Sequence, residues 1–164
     1  MPAAFIRPGR RRRTPIMKTT LLFAKPGPAT QPKGATATAA FVAGGILIIW
    51  LSYIHFHLWD IGYRHIATIG PLFLLQSIAG LLIGLLVVAV RRLWTAVVGI
   101  GFVLATMVGF LISVEHGLFG FKDSWAAPFA GLAFTLEIVT AVILAVAAWA
   151  CFRSSGRSQV RSPA

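Results

Sequence analysis

Four long apolar stretches decide what this chain can fold into. They cover roughly residues 39–58, 68–90, 94–114 and 126–152, each near the length of about 20 residues that an α-helix needs to cross a bilayer. None alternates apolar and polar residues with period two, and outer-membrane strands are about half as long. In hydrocarbon, a single segment satisfies its own backbone N–H and C=O groups only as a helix. Short connections then hold successive helices antiparallel. The expected fold is all-α, a transmembrane up-down-up-down four-helix bundle. Composition agrees, because a chain of 164 residues that is 57% hydrophobic and 12% charged has too little polar surface for a water-soluble globule. Such a chain is also far too apolar to stay disordered.

The formal charge is +11, from 15 Lys and Arg against 4 Asp and Glu. Spread over a folded surface, that excess would fit nucleic acid, but here it sits in tails and links. Eight basic residues precede the first stretch, Arg91 and Arg92 join the second to the third, and Arg153, Arg157 and Arg161 follow the fourth. The opposite side holds only Arg64 and Lys122. Positive loops stay in the cytoplasm, so both termini are expected there and the partner is a lipid bilayer, with no nucleic acid. The expected organisation is a disordered basic tail over 1–38, a four-helix membrane domain over 39–152 and a second basic tail over 153–164. Met17 is an alternative start. The arginine run at 10–13 reads either as a topology signal or as a patch for anionic lipid.

Shifted by 61 positions, the sequence matches itself at its rare polar residues. Ser52 and His55 fall on Ser113 and His116, and Phe73 and Gln76 fall on Phe134 and Glu137. One reading is a duplicated helical hairpin, a parallel repeat about an axis along the membrane normal; the other is chance likeness between apolar helices. The matched residues share helix faces with small ones, at spacings of three or four. These faces are Gly44, Ile48, Ser52, His55 and Trp59; Gln76, Gly80 and Gly84; Gly101, Ala105, Gly109, Ser113 and His116; and Ala130, Ala133, Glu137, Ala141 and Ala145. Small residues let membrane helices approach closely, so Ser52, His55, Gln76, Ser113, His116 and Glu137 are expected to point into the bundle as its polar core.

Glu137 stands out chemically. It is expected about 15 Å below the outer end of its helix, where an ionised carboxylate is costly unless it is paired or wetted. It reads as a proton or cation site, or as a protonated acid bonded across an interface, with Gln76 nearest in depth. His55 and His116 lie within about one turn of the outer surface on diagonally opposed helices. Diagonal axes roughly 13 Å apart give the two imidazoles the span of a bis-histidine haem b site, with Arg64, His65 and Lys122 placed for propionates. A divalent ion among His55, His57, His65, Asp60, Glu115 and His116 is a further reading. His55 and His57, however, point about 200° apart on a helix. The remaining reading of these groups is as solvated loop residues.

Between the first two stretches, Asp60 and Arg64 have the spacing of a helical ion pair, and Pro71 suits the start of a helix. Cys151 reads as packing. Phosphate-binding, zinc-protease and serine-hydrolase motifs are absent, which leaves enzymatic activity open and favours a non-enzyme.

The stretch W-x-x-G-Y-R-x-I-x-T-I-G-P-L-F-L-L-Q, from Trp59 to Gln76, resembles a family of uncharacterised small four-helix membrane proteins of actinobacteria. The resemblance covers about residues 40–150. It implies a bacterial inner-membrane location and a four-helix topology, and it carries no activity and no site residues. Three functional readings follow. The first is a binding, assembly or accessory subunit, with a protein partner or a second copy, whose bundle opens outward into a polar funnel ending at Glu137. The others are a haem electron-transfer protein using His55 and His116, and a small proton- or cation-coupled transporter.

Overall fold

The computed structural model describes residues 34–159, so the expectations placed on the first 33 residues and on 160–164 lie outside the described residues. Among the described residues the chain is all-helical. Helix α1 runs over Ala35–Ile61, α2 over Ile69–Val90, α3 over Leu93–Glu115 and α4 over Ala130–Gln159, with a 3-10 turn at Tyr63–His65 before α2. The whole of α1, α2 and α3, and Ala130–Arg153 of α4, are long and apolar enough to span a membrane. The protein is a multi-pass membrane bundle.

Local chemistry sets where each helix ends. Helix α1 begins earlier than expected, inside the predicted tail. Alanines favour the helix there, and the Thr38 hydroxyl and backbone N–H both return to Gly34 O at 3.2 Å. The tight link between α2 and α3 uses Arg91 in the left-handed region (φ 49°). Thr95 then caps α3, receiving the Arg92 N–H at 3.2 Å and donating to Arg92 O at 2.8 Å. Helix α3 stops at Glu115 because Gly117 takes a positive φ of 83°, the usual glycine ending of a helix. Helix α4 starts at Ala130 rather than 126. Ala127 N–H closes a turn on Ser124 O at 3.0 Å, and Pro128 disfavours a helical residue before it. At its other end α4 continues to Gln159, past the expected boundary at 152.

The helices form a square in which α1 and α3 are diagonal and α1 packs most extensively on α2. That seam is built on glycine. A Cβ added to Gly45 would lie 2.8 Å from Gly84 O, and one added to Gly84 would lie 2.8 Å from Gly45 O, so the two backbones touch. Ser77 Oγ reinforces the seam by donating to Ser52 O at 2.9 Å. On the other hairpin, Gly99 admits Leu144 and Ile48. The dry core of Phe41, Ile48, Val87, Val103, Leu144 and Ala147 fills the half of the bundle nearer the termini. Leu75, Leu82, Val97 and Val142 are more than half exposed, as a lipid-facing surface requires.

Not every expected small-residue face is an interface. Gly101 and Ala105 on α3 and Ala145 on α4 are exposed, and a Cβ on Gly101 would meet nothing. The inward face of α3 is instead Ala96, Gly99, Val103, Thr106 and Ser113, and that of α4 is Glu137, Thr140, Leu144, Ala147 and Cys151. The apolar helices have no strongly polar side to fix their rotation from sequence; bulky core residues set it.

Candidate functional site: a cavity beneath the two long connections

The α1–α2 and α3–α4 connections lie at the end of the bundle opposite the termini. Beneath them the bundle holds a cavity of about 390 Å³. Its walls come from α2, α3 and α4, with His55 and Leu58 from α1. The α2–α3 seam is the loosest of the four around the square. Leu72, Leu75 and Ala105 line the cavity and are exposed at the surface, so the cavity reaches the membrane-facing side between α2 and α3.

Two hydrogen-bonded pairs form its floor. His55 sits six residues from the end of α1 and Gln76 seven from the start of α2, which is about 10 Å in each case. The Gln76 amide nitrogen lies 2.9 Å from His55 Nε2. An amide nitrogen only donates, so Nε2 accepts and the ring proton sits on Nδ1, which donates to Leu51 O at 2.8 Å. Across the cavity, Thr106 Oγ1 donates to Glu137 Oε1 at 2.6 Å. Glu137 is 4% exposed and lies about 10 Å below the start of α4, shallower than expected because α4 begins late. Its partner is Thr106, while Gln76 is committed to His55.

The second oxygens of both floor pairs face the cavity. Among the described residues Gln76 Oε1 and Glu137 Oε2 have no hydrogen-bond partner, and no buried side-chain nitrogen or oxygen is left unpaired. Both are therefore accessible from the cavity that their side chains line.

The roof is stitched from both connections. Tyr63 Oη donates to Asp123 Oδ1 at 3.3 Å, and the Asp123 N–H donates to Ser113 Oγ at 3.3 Å. Tyr63 stacks on Phe73 with ring centroids 4.3 Å apart and meets Phe121 edge-on at 5.7 Å. Burial first, then the Asp123 charge and hydrogen bond, push the Tyr63 phenol up to about 12. Between roof and floor the wall is mostly carbon, including Phe73, Phe102, Phe110, Phe121 and Phe134. The expected polar funnel is thus a largely apolar chamber, roofed by aromatic side chains and polar only at its two ends.

Of the six expected polar-core residues, His55, Gln76, Ser113 and Glu137 line this cavity. Ser52 is buried away from it, in the α1–α2 seam, with its hydroxyl on Ile48 O at 2.9 Å. His116 is exposed at the C-cap of α3, because Gly117 ends that helix while α1 continues for six residues past His55. The two histidines therefore do not face a common space. With both His55 nitrogens already bonded, the arrangement does not fit a bis-histidine haem. Among the described residues no three His, Cys, Asp or Glu side chains gather as a metal-ligand set. Asp60 pairs with Arg64 at 3.3 Å, and Arg64 Nε donates to His65 Nε2 at 3.0 Å. His57 stacks on Tyr53 and meets Phe129 edge-on.

Sequence reasoning missed Thr106 and the Tyr63–Asp123 bond. Thr106 has one weak signal, a hydroxyl three residues from Val103 and seven from Ser113, on the face that proves to be inward. No family model matches the chain, and no curated protein or solved structure shows significant similarity to it.

Proposed function

We propose that the protein is a small binding or accessory subunit of a bacterial inner membrane, which holds an apolar small molecule in the cavity beneath its two long connections. One observation carries this reading. A chamber of drug-like size lies inside the membrane-spanning region, and the Gln76 and Glu137 oxygens are open to it. Carbon walls supply affinity, and a few fixed polar groups orient the occupant. A partner protein or second copy would then receive or present it. The charge asymmetry supports cytoplasmic termini: Arg91, Arg92 and Arg153 lie at the termini end, against Arg64 and Lys122 at the other.

Native mass spectrometry with a neutral apolar probe, triphenylphosphine oxide, tests the cavity. One equivalent should be retained, and Gly109→Leu should abolish retention, because Gly109 lines the cavity and a Cβ there meets nothing within 4 Å. Equal retention by both proteins would remove the cavity as the site.

A second reading, coupled transport of a proton or cation, is favoured by the position of Glu137. A buried acid within the membrane span is expensive to keep without a purpose.

A further inference from the structure

The charge chemistry of the cavity is one-sided. Among the described residues two carboxyl groups line it, Glu137 at the floor and Asp123 at the roof, and no Lys or Arg does. The other titratable groups on its wall are His55 from α1 and Tyr63 from the 3-10 turn, while α2 and α3 contribute none. His55 accepts a hydrogen bond at Nε2 and so brings no positive charge. The open floor atoms, Gln76 Oε1 and Glu137 Oε2, are oxygens. Phenylalanine rings line the same wall, and aromatic rings attract cations most strongly where water is excluded. Acceptors, aromatic faces and a carboxyl group without a counter-cation are complementary to a positive charge carried on an apolar body.

Glu137 shows how the charge of the site is balanced. Thr106 Oγ1 has one proton and two oxygens in reach, Glu137 Oε1 at 2.6 Å and Val103 O at 2.8 Å. A proton on Glu137 Oε1 reverses that bond, donating to Thr106 Oγ1 and leaving the threonine proton to Val103 O, and it removes the cost of a bare charge in hydrocarbon.

Resting on the reading of this cavity as a ligand site, we propose that it binds a lipophilic organic cation, whose charge replaces a proton on Glu137. The exchange conserves charge. One monovalent cation enters, the carboxyl O–H bond breaks, and one proton leaves to water. Coulomb attraction in a low-dielectric wall then holds the cation against the carboxylate. The opening between α2 and α3 admits such a molecule from the bilayer.

Calorimetry in detergent micelles with methyltriphenylphosphonium and triphenylphosphine oxide, a cation and a neutral molecule of similar shape, tests this. The cation should bind at least about tenfold more tightly. It should release one proton, read from the dependence of the heat on buffer ionisation enthalpy, and should weaken as pH falls. Glu137→Gln should cost the cation at least about tenfold and erase its advantage over the neutral probe. Equal binding of the two probes without proton release would overturn the cation assignment while leaving the cavity as a ligand site. Binding of neither, or undiminished binding in Gly109→Leu, would overturn both. If Glu137→Gln fails to fold, probe preference and proton release in the unaltered protein still decide the question.

Discussion

Tyr63 joins the two long connections with a single side chain, and its ionisation reports on that joint. A phenol held near 12 in the folded protein, against the ordinary 10.0, stays protonated while its unfolded counterpart loses its proton. The unfolded state is thereby favoured progressively as pH rises from the ordinary value to the folded one. The Tyr63 contribution is present in full below pH 10 and lost by about pH 12. Thermal unfolding followed by circular dichroism should show this loss, and Tyr63→Phe should flatten it while keeping the stack on Phe73. At this scale the sequence was legible where a polar residue is rare: Gln76 and Glu137 stand out in apolar helices, and both line the cavity. Thr106 was hard to read because a threonine hydroxyl can satisfy itself on its own helix backbone, so its presence in a membrane helix is only a weak signal. His116 was misread for a local reason, since Gly117 beside it marks a helix ending.

Helix register follows from contact with neighbours, and the glycines show it. Gly84 meets the Gly45 backbone, whereas Gly101 faces open space. Gly84→Ala should destabilise the protein by about 1–3 kcal/mol through overpacking. Gly101→Ala should be neutral or stabilising by up to about 1 kcal/mol, because alanine is the better helix former. Unfolding in mixed micelles compares the two, and equal effects would mean that the α1–α2 seam is not glycine-dependent. The existence and order of the four elements could be read from apolar length alone. Rotation about each helix axis could not: Ala145 and Gly101 fit a small-residue face as well as Gly84 and Gly99 do, and only large residues such as Leu144 and Ile48 tell them apart. The late start of α4 was likewise hidden, because Ala126 and Ala127 are good helix formers that a turn at Ser124 and Pro128 claims first.

At the scale of the whole molecule, the bundle is well packed toward the termini and hollow toward the long connections. The polar positions that match at a shift of 61 are used differently in the two hairpins: His55 and Gln76 bond across the first, whereas Glu137 bonds to Thr106 across the second. Topology is a separate test. A C-terminal reporter that works only in the cytoplasm should be active, and one inserted at Phe119, an exposed residue of the α3–α4 connection, should be silent; the reverse pattern would place the long connections inside. The opening between α2 and α3 has a consequence for any measurement of occupancy. A cavity that fills sideways samples molecules dissolved in lipid, so the bilayer concentrates hydrophobic candidates before the protein meets them. Apparent affinities expressed per litre of water should then rise with each ligand's partition coefficient, and selectivity should emerge only when occupancy is plotted against mole fraction in the membrane.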